Sequence, residues 1–181
     1  MPLHDVQKYL LQLSDMLPPD GSLGYASDNM KPHRKYVDAT VNHIVSRSEE
    51  TRRAYMKFKG AVEHQDEEVR RIFNNNEAKV KRHSLKEIYL ESMRTRLGNI
   101  VIKAAIEARK NVMQIEAGKT NYRKPVRKGY HTDLMTSLMI GAQLQKEINR
   151  GFYEFLADLD KMEYKRVQEE GGAGTYFDYE M

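Results

Sequence analysis

From Ser84 to Ile115 apolar residues return every three or four positions, and this spacing constrains the fold more than any other feature of the chain. Tyr89, Met93, Leu97, Ile100/Val101, Ala104, Ala108, Val112 and Ile115 line one face of a helix of about eight turns. Ser84 and Glu87 stand at the spacing of a capping box, in which the serine hydroxyl accepts from a first-turn N–H. Gly118 is placed to end the helix in the left-handed conformation.

The same period recurs along the chain, and strand-like alternation is absent. A first helix is expected from Pro2 to Met16, with Leu3, Val6, Leu10, Leu13 and Leu17 on one face, stopped by Pro18-Pro19. Residues 18–31 are rich in Pro, Gly, Ser, Asp and Asn and read as a linker. A second helix starts near Pro32 and carries Tyr36, Val37, Val41, Ile44 and Val45. It breaks near Ser46–Glu49, a pair with capping-box spacing. A third carries Tyr55, Phe58, Val62, Val69, Ile72 and Phe73, and its middle, Glu63 to Glu68, reads as too polar for core on any face. A fifth helix opens at Thr132 or Asp133 and runs through Leu134, Leu138, Ile148, Phe152, Phe155, Leu159 and Met162.

The expected fold is therefore all-α: an elongated helical bundle with a long antiparallel hairpin of the fourth and fifth helices and accessory N-terminal helices. The small residues Gly98, Ala104, Ala105 and Ala108 would let a neighbouring helix approach closely. The organisation reads as an N-terminal helix (1–17), a linker (18–31), a helical bundle (32–170) and a Gly-jointed tail (171–181).

Hydrophobic residues make up 40% and charged residues 31%, which favours amphipathic helices over a thick globule. With no Cys, disulfides and thiolate chemistry are excluded, and a reducing compartment fits. The N-terminus does not read as a signal peptide, and no uncharged apolar run is long enough to span a bilayer. No membrane contact and a cytoplasmic or intravirion location are expected.

The six His are scattered, without HExxH or ExxH pairs, so no metal site is expected; His64 beside Glu63 and Asp66 comes nearest to a cluster. No nucleophile elbow appears. Gly118-Lys119-Thr120 echoes the end of a phosphate-binding P-loop, but Met113 stands where that motif needs Gly, and a helix rather than a strand precedes it. No catalytic residues and no cofactor are expected.

The sharpest local signal is residues 118–131, GKTNYRKPVRKGYH. They hold Lys119, Arg123, Lys124, Arg127 and Lys128, bracketed by Tyr122 and Tyr130, with no acidic residue between Glu116 and Asp133. Lysine and arginine neutralise phosphates while tyrosine faces stack on bases, the combination that single-strand binders use. Pro125 and two glycines suggest a non-helical loop between helix ends. Further basic clusters stand at 31–36, at Arg52, Arg53, Lys57 and Lys59, and at 79–83; taken singly, each reads as a solvated face. Beyond Gly171–Gly174, Tyr176, Phe177 and Tyr179 alternate with Asp178 and Glu180, as in a short docking motif for a protein partner. Together these residues describe a non-enzymatic subunit of a larger assembly that contacts nucleic acid, DNA or RNA, through its basic loop, and other subunits or itself through helices and tail. The alternative is a structural or adaptor protein, a virion or machine component, working through protein contacts alone.

Overall fold

The computed structural model describes residues 5–74, 84–116 and 128–168, with side chains over 6–72, 84–112 and 138–161. The fold is all-α. In chain order the described elements are α1 (Asp5–Ser14), a 3-10 helix (Asp28–His33), α2 (Arg34–Ser46), α3 (Glu49–Asn74), a π-helical turn (Lys86–Leu90), α4 (Glu91–Glu116) and α5 (Lys128–Gln168). Two compact units share these elements, residues 1–53 with 94–146 and residues 54–93 with 147–181.

In the first unit the expected stripes become core. Val6, Leu10 and Leu13 of α1, Val37, Val41 and Ile44 of α2, Leu97, Val101 and Ala105 of α4, and Ile140 and Leu144 of α5 are all buried. Tyr9 of α1 lies 4.6 Å, ring to ring, from His43 of α2 and 6.2 Å from Tyr36. The carbonyls that end α1 find their donor far along the chain. Arg109 of α4 donates to the Leu11 carbonyl at 3.1 Å and to Ser14 Oγ at 3.0 Å, and it pairs with Asp15. A guanidinium there satisfies orphan acceptors and suits the negative end of the helix dipole.

The stretch expected as a linker, 18–31, contributes to this core. Tyr25 and Met30 are buried. The Tyr25 N–H donates to Asn99 Oδ1 at 2.8 Å, and its hydroxyl donates to Asp38 Oδ1 at 2.8 Å. Arg34 donates to the Tyr25 carbonyl at 2.9 Å, with its guanidinium carbon 5.3 Å from the Tyr25 ring centre. Arg94 completes the group with a 2.6 Å bond to the other Asp38 oxygen. Gly98 of α4 lies directly under the ring. A Cβ there would come within 2.4 Å of Tyr25 Cδ2. The close approach expected at Gly98 is therefore made by an aromatic ring.

Two helix starts differ in detail from the expectation. Ser46 Oγ donates back to the His43 carbonyl, and α3 is capped instead by Ser48, whose hydroxyl accepts from Thr51 N–H at 3.3 Å. α5 opens at Lys128, about one turn before Thr132. A glycine inside a helix costs only about 1 kcal/mol, which the long downstream stripe outweighs at Gly129.

In the second unit Phe58, Val62 and Val69 of α3, Leu85 and Met93, and Ile148 and Phe155 of α5 are buried. The capping bond expected at Ser84 is present, with Glu87 N–H donating to its hydroxyl at 3.1 Å. The polar middle of α3 does enter the core at one residue. Asp66 is only 1% exposed; its carboxylate accepts from Leu85 N–H at 2.9 Å and pairs with Arg70 at 2.8 Å. Such a partner makes burial of a carboxylate tolerable. Tyr89 packs edge-on against Phe155, centroids 4.8 Å apart, and donates to Asp158. Ile72 and Leu138, expected on apolar faces, are exposed.

Candidate functional site

α4 ends at Glu116 and α5 begins at Lys128, so the basic segment is mounted between the end of one long helix and the start of another. Lys119, Tyr122, Arg123, Lys124 and Arg127 lie outside the described residues. Lys128 and Tyr130 belong by backbone to the first turn of α5, and this corrects the expectation of a non-helical loop through residue 131. The tail residues Tyr176, Phe177 and Tyr179, and the 79–83 cluster, also lie outside the described residues.

The described basic clusters engage their own chain. Lys31 is 3.6 Å from Asp28, and Arg34 is held by the carbonyls of Tyr25 and Ser27. Arg53 pairs with Glu49 at 2.8 Å. Lys57 stands 5.6 Å over the Phe152 ring and Lys59 4.8 Å over Tyr55. Contacts of this kind fix a side chain in one place and lower its value to an outside phosphate, though exposed pairs exchange readily. The nearest thing to a histidine–carboxylate cluster dissolves, since Asp66 is buried against Leu85 while Glu63 and His64 face solvent. Among the described residues no group of His, Asp and Glu could hold a metal ion, and no helix is long and apolar enough to cross a membrane.

One feature of the first unit had no signal in the sequence. A cavity of about 330 Å³ opens between α1, α4 and α5. Ile100, Ala104 and Ala108 of α4 and Ile140 of α5 form its apolar wall, and Gln7, Asn111 and Gln143 bring carboxamides to it. Ile100 and Ala104, expected on the apolar face of this helix, line this space and are half-buried. Its volume falls at the small end for ligand pockets. The stripe arithmetic that placed α4 could not reveal it, because a void depends on which residues of three helices meet.

Comparison with protein-family models, with curated proteins and with solved structures finds no match for this chain.

Proposed function

We propose that this chain is a non-enzymatic helical subunit of a larger assembly, acting in the cytoplasm or inside a virion, that contacts nucleic acid through Lys119, Arg123, Lys124, Arg127 and Lys128 with Tyr122 and Tyr130. The observation that carries this reading is the acid-free run from residue 117 to 132, within which α5 begins. The first-turn N–H groups that a helix leaves unbonded, and the positive end of its dipole, lie in the same stretch as the cations and add to their attraction for phosphate. The engagement of Arg34, Arg53, Lys57 and Lys59 within the chain also turns attention to this segment. In this reading α4 and α5 form an antiparallel hairpin that presents the segment. What supports the hairpin is the cavity lined by Ala104 and Ala108 of one helix and by Met139 and Gln143 of the other.

The test is binding to labelled single- and double-stranded DNA and RNA across a salt series. Every cation removed from a phosphate should reduce the slope of log affinity against log salt by about one. Replacing Arg123, Lys124, Arg127 and Lys128 together by Ser should weaken binding and flatten the slope, with helicity intact. No binding by the wild type at low salt, or undiminished binding by the quadruple variant, overturns the proposal. The first outcome would favour the adaptor reading, which Leu138 and Met139, exposed by 61% and 58%, independently support.

A further inference from the structure

Gly60 lies in the middle of α3, exposed, with nothing within 4 Å of where a Cβ would stand. Glycine in a helix interior is worth about 1 kcal/mol less than alanine, and the packing around Gly60 offers no return for that cost. At Gly98 a tyrosine ring occupies the vacant Cβ position, whereas at Gly60 the space is open.

Along α3 the residues that share Gly60's face are set by the helical period at four and seven positions away. They are Arg53, Met56, His64 and Glu67, and all four are exposed. Met56 is 58% exposed. Nearest the glycine, charge is segregated about it: Arg52, Arg53, Lys57 and Lys59 precede it and Glu63, Asp66, Glu67 and Glu68 follow it. Farther out the signs reverse, with Glu49 and Glu50 before and Arg70 and Arg71 after. Among the described residues Glu67 has no ion-pair partner, and Arg53 is held only by the exposed Glu49.

We infer that this face of α3 pairs with the same face of a second copy of the chain, the two helices running antiparallel about a two-fold axis at Gly60. An antiparallel two-fold sets each residue before the glycine opposite the residue equally far after it. Arg53 then meets Glu67 of the second copy twice over, and Met56 comes to the height of its His64. The basic stretch 52–59 of each helix covers the acidic stretch 63–68 of the other. A parallel arrangement would set like charges side by side, so the charge pattern selects the antiparallel one. The missing Cβ lets the two backbones close at the centre, where each glycine faces its mate. Such an interface is isologous and closes at two subunits. It is independent of nucleic-acid binding, since none of these residues belongs to 118–131.

The test is sedimentation equilibrium of the full chain, freed of nucleic acid by nuclease and high-salt washing, over a concentration series. The wild type should form dimers. R53E and E67R should each weaken association by about tenfold or more, because each turns two attractions into repulsions. The double variant R53E/E67R should recover it, which no loss of folding can imitate. G60L should abolish dimers while leaving helicity and melting temperature at or above wild type. A monomer at the highest soluble concentration overturns the inference. So does a dimer indifferent to E67R and G60L, or a double variant no better than the singles. Loss of nucleic-acid binding in the quadruple serine variant with dimerisation intact would separate the two proposals.

Discussion

Alanine substitution at two glycines, both within α-helices, should have opposite effects. At Gly98 the new methyl meets Tyr25 carbons at 2.4, 2.9 and 3.0 Å. The ring has little freedom to yield, because the Tyr25 hydroxyl, N–H and carbonyl are each bonded, to Asp38, Asn99 and Arg34. Overpacking costs about 1–3 kcal/mol, and each hydrogen bond sacrificed by moving the ring about 1 kcal/mol, against about 1 kcal/mol gained in helix propensity. Gly98→Ala should therefore destabilise by about 2–3 kcal/mol, a fall in melting temperature of roughly 5–10 °C for a chain of this size. Gly60→Ala keeps only the gain. At concentrations where the chain is monomeric it should raise stability by about 1 kcal/mol. Thermal melts followed by far-ultraviolet circular dichroism measure both. Removing the ring as well, with Tyr25→Ala in the Gly98→Ala background, should cost less than the sum of the two single changes. A Gly98→Ala protein as stable as wild type, or a shift of the same sign at both glycines, refutes the reasoning from space and bonding at Tyr25.

Asp66→Ala should cost about 1–3 kcal/mol by leaving the Leu85 N–H unbonded in the core, while Glu63→Ala, on an exposed position of the same helix, should stay within about 0.5 kcal/mol; urea denaturation distinguishes them. Burial first, and the neighbouring Tyr9 second, push the Tyr36 hydroxyl above the ordinary tyrosine value of 10.0. The folded state thus favours the neutral phenol. Its contribution to stability is whole below the unfolded pKa and is lost as the pH rises through the folded one. In an ultraviolet tyrosinate titration, Tyr36→Phe should remove a late-ionising component, and an unchanged late region in that variant would overturn the assignment.

The helices were legible because amphipathic period is a local property. The faces of α1, α2 and α4 and the Ser84 cap follow from neighbours at most four residues apart. What escaped the sequence depends on partners at a distance. Tyr25 sits among turn-forming residues, and its place in the core rests on distant partners, Asn99, 74 positions on, and Gly98 beneath its ring. Asp66 lies in a run of charge, and its burial shows only in the Leu85 N–H that it accepts from, 19 positions on, beside its local pair with Arg70. Ile72 and Leu138 fit apolar stripes but are exposed, because a stripe does not say which of its residues meets a neighbour. Of the candidate site, the cations and their freedom from acidic neighbours were legible, since both are composition. The start of α5 at Lys128 was not, because Gly129 and the surrounding charge locally favour a loop.

The first compact unit is assembled from two stretches of chain separated by residues 54–93. During synthesis, at about 5–20 residues per second, the N-terminal stretch therefore waits a few seconds before its partner stretch leaves the ribosome. Over that interval the pockets for Tyr25 and the end of α1 lack Asn99, Gly98 and Arg109. The α1–α2 pair must wait with its apolar faces uncovered, a vulnerable interval for proteolysis and for chaperone capture. A fragment ending near residue 93 would remain in that state permanently. Co-expression with a separate chain starting near residue 94 would be the way to relieve it.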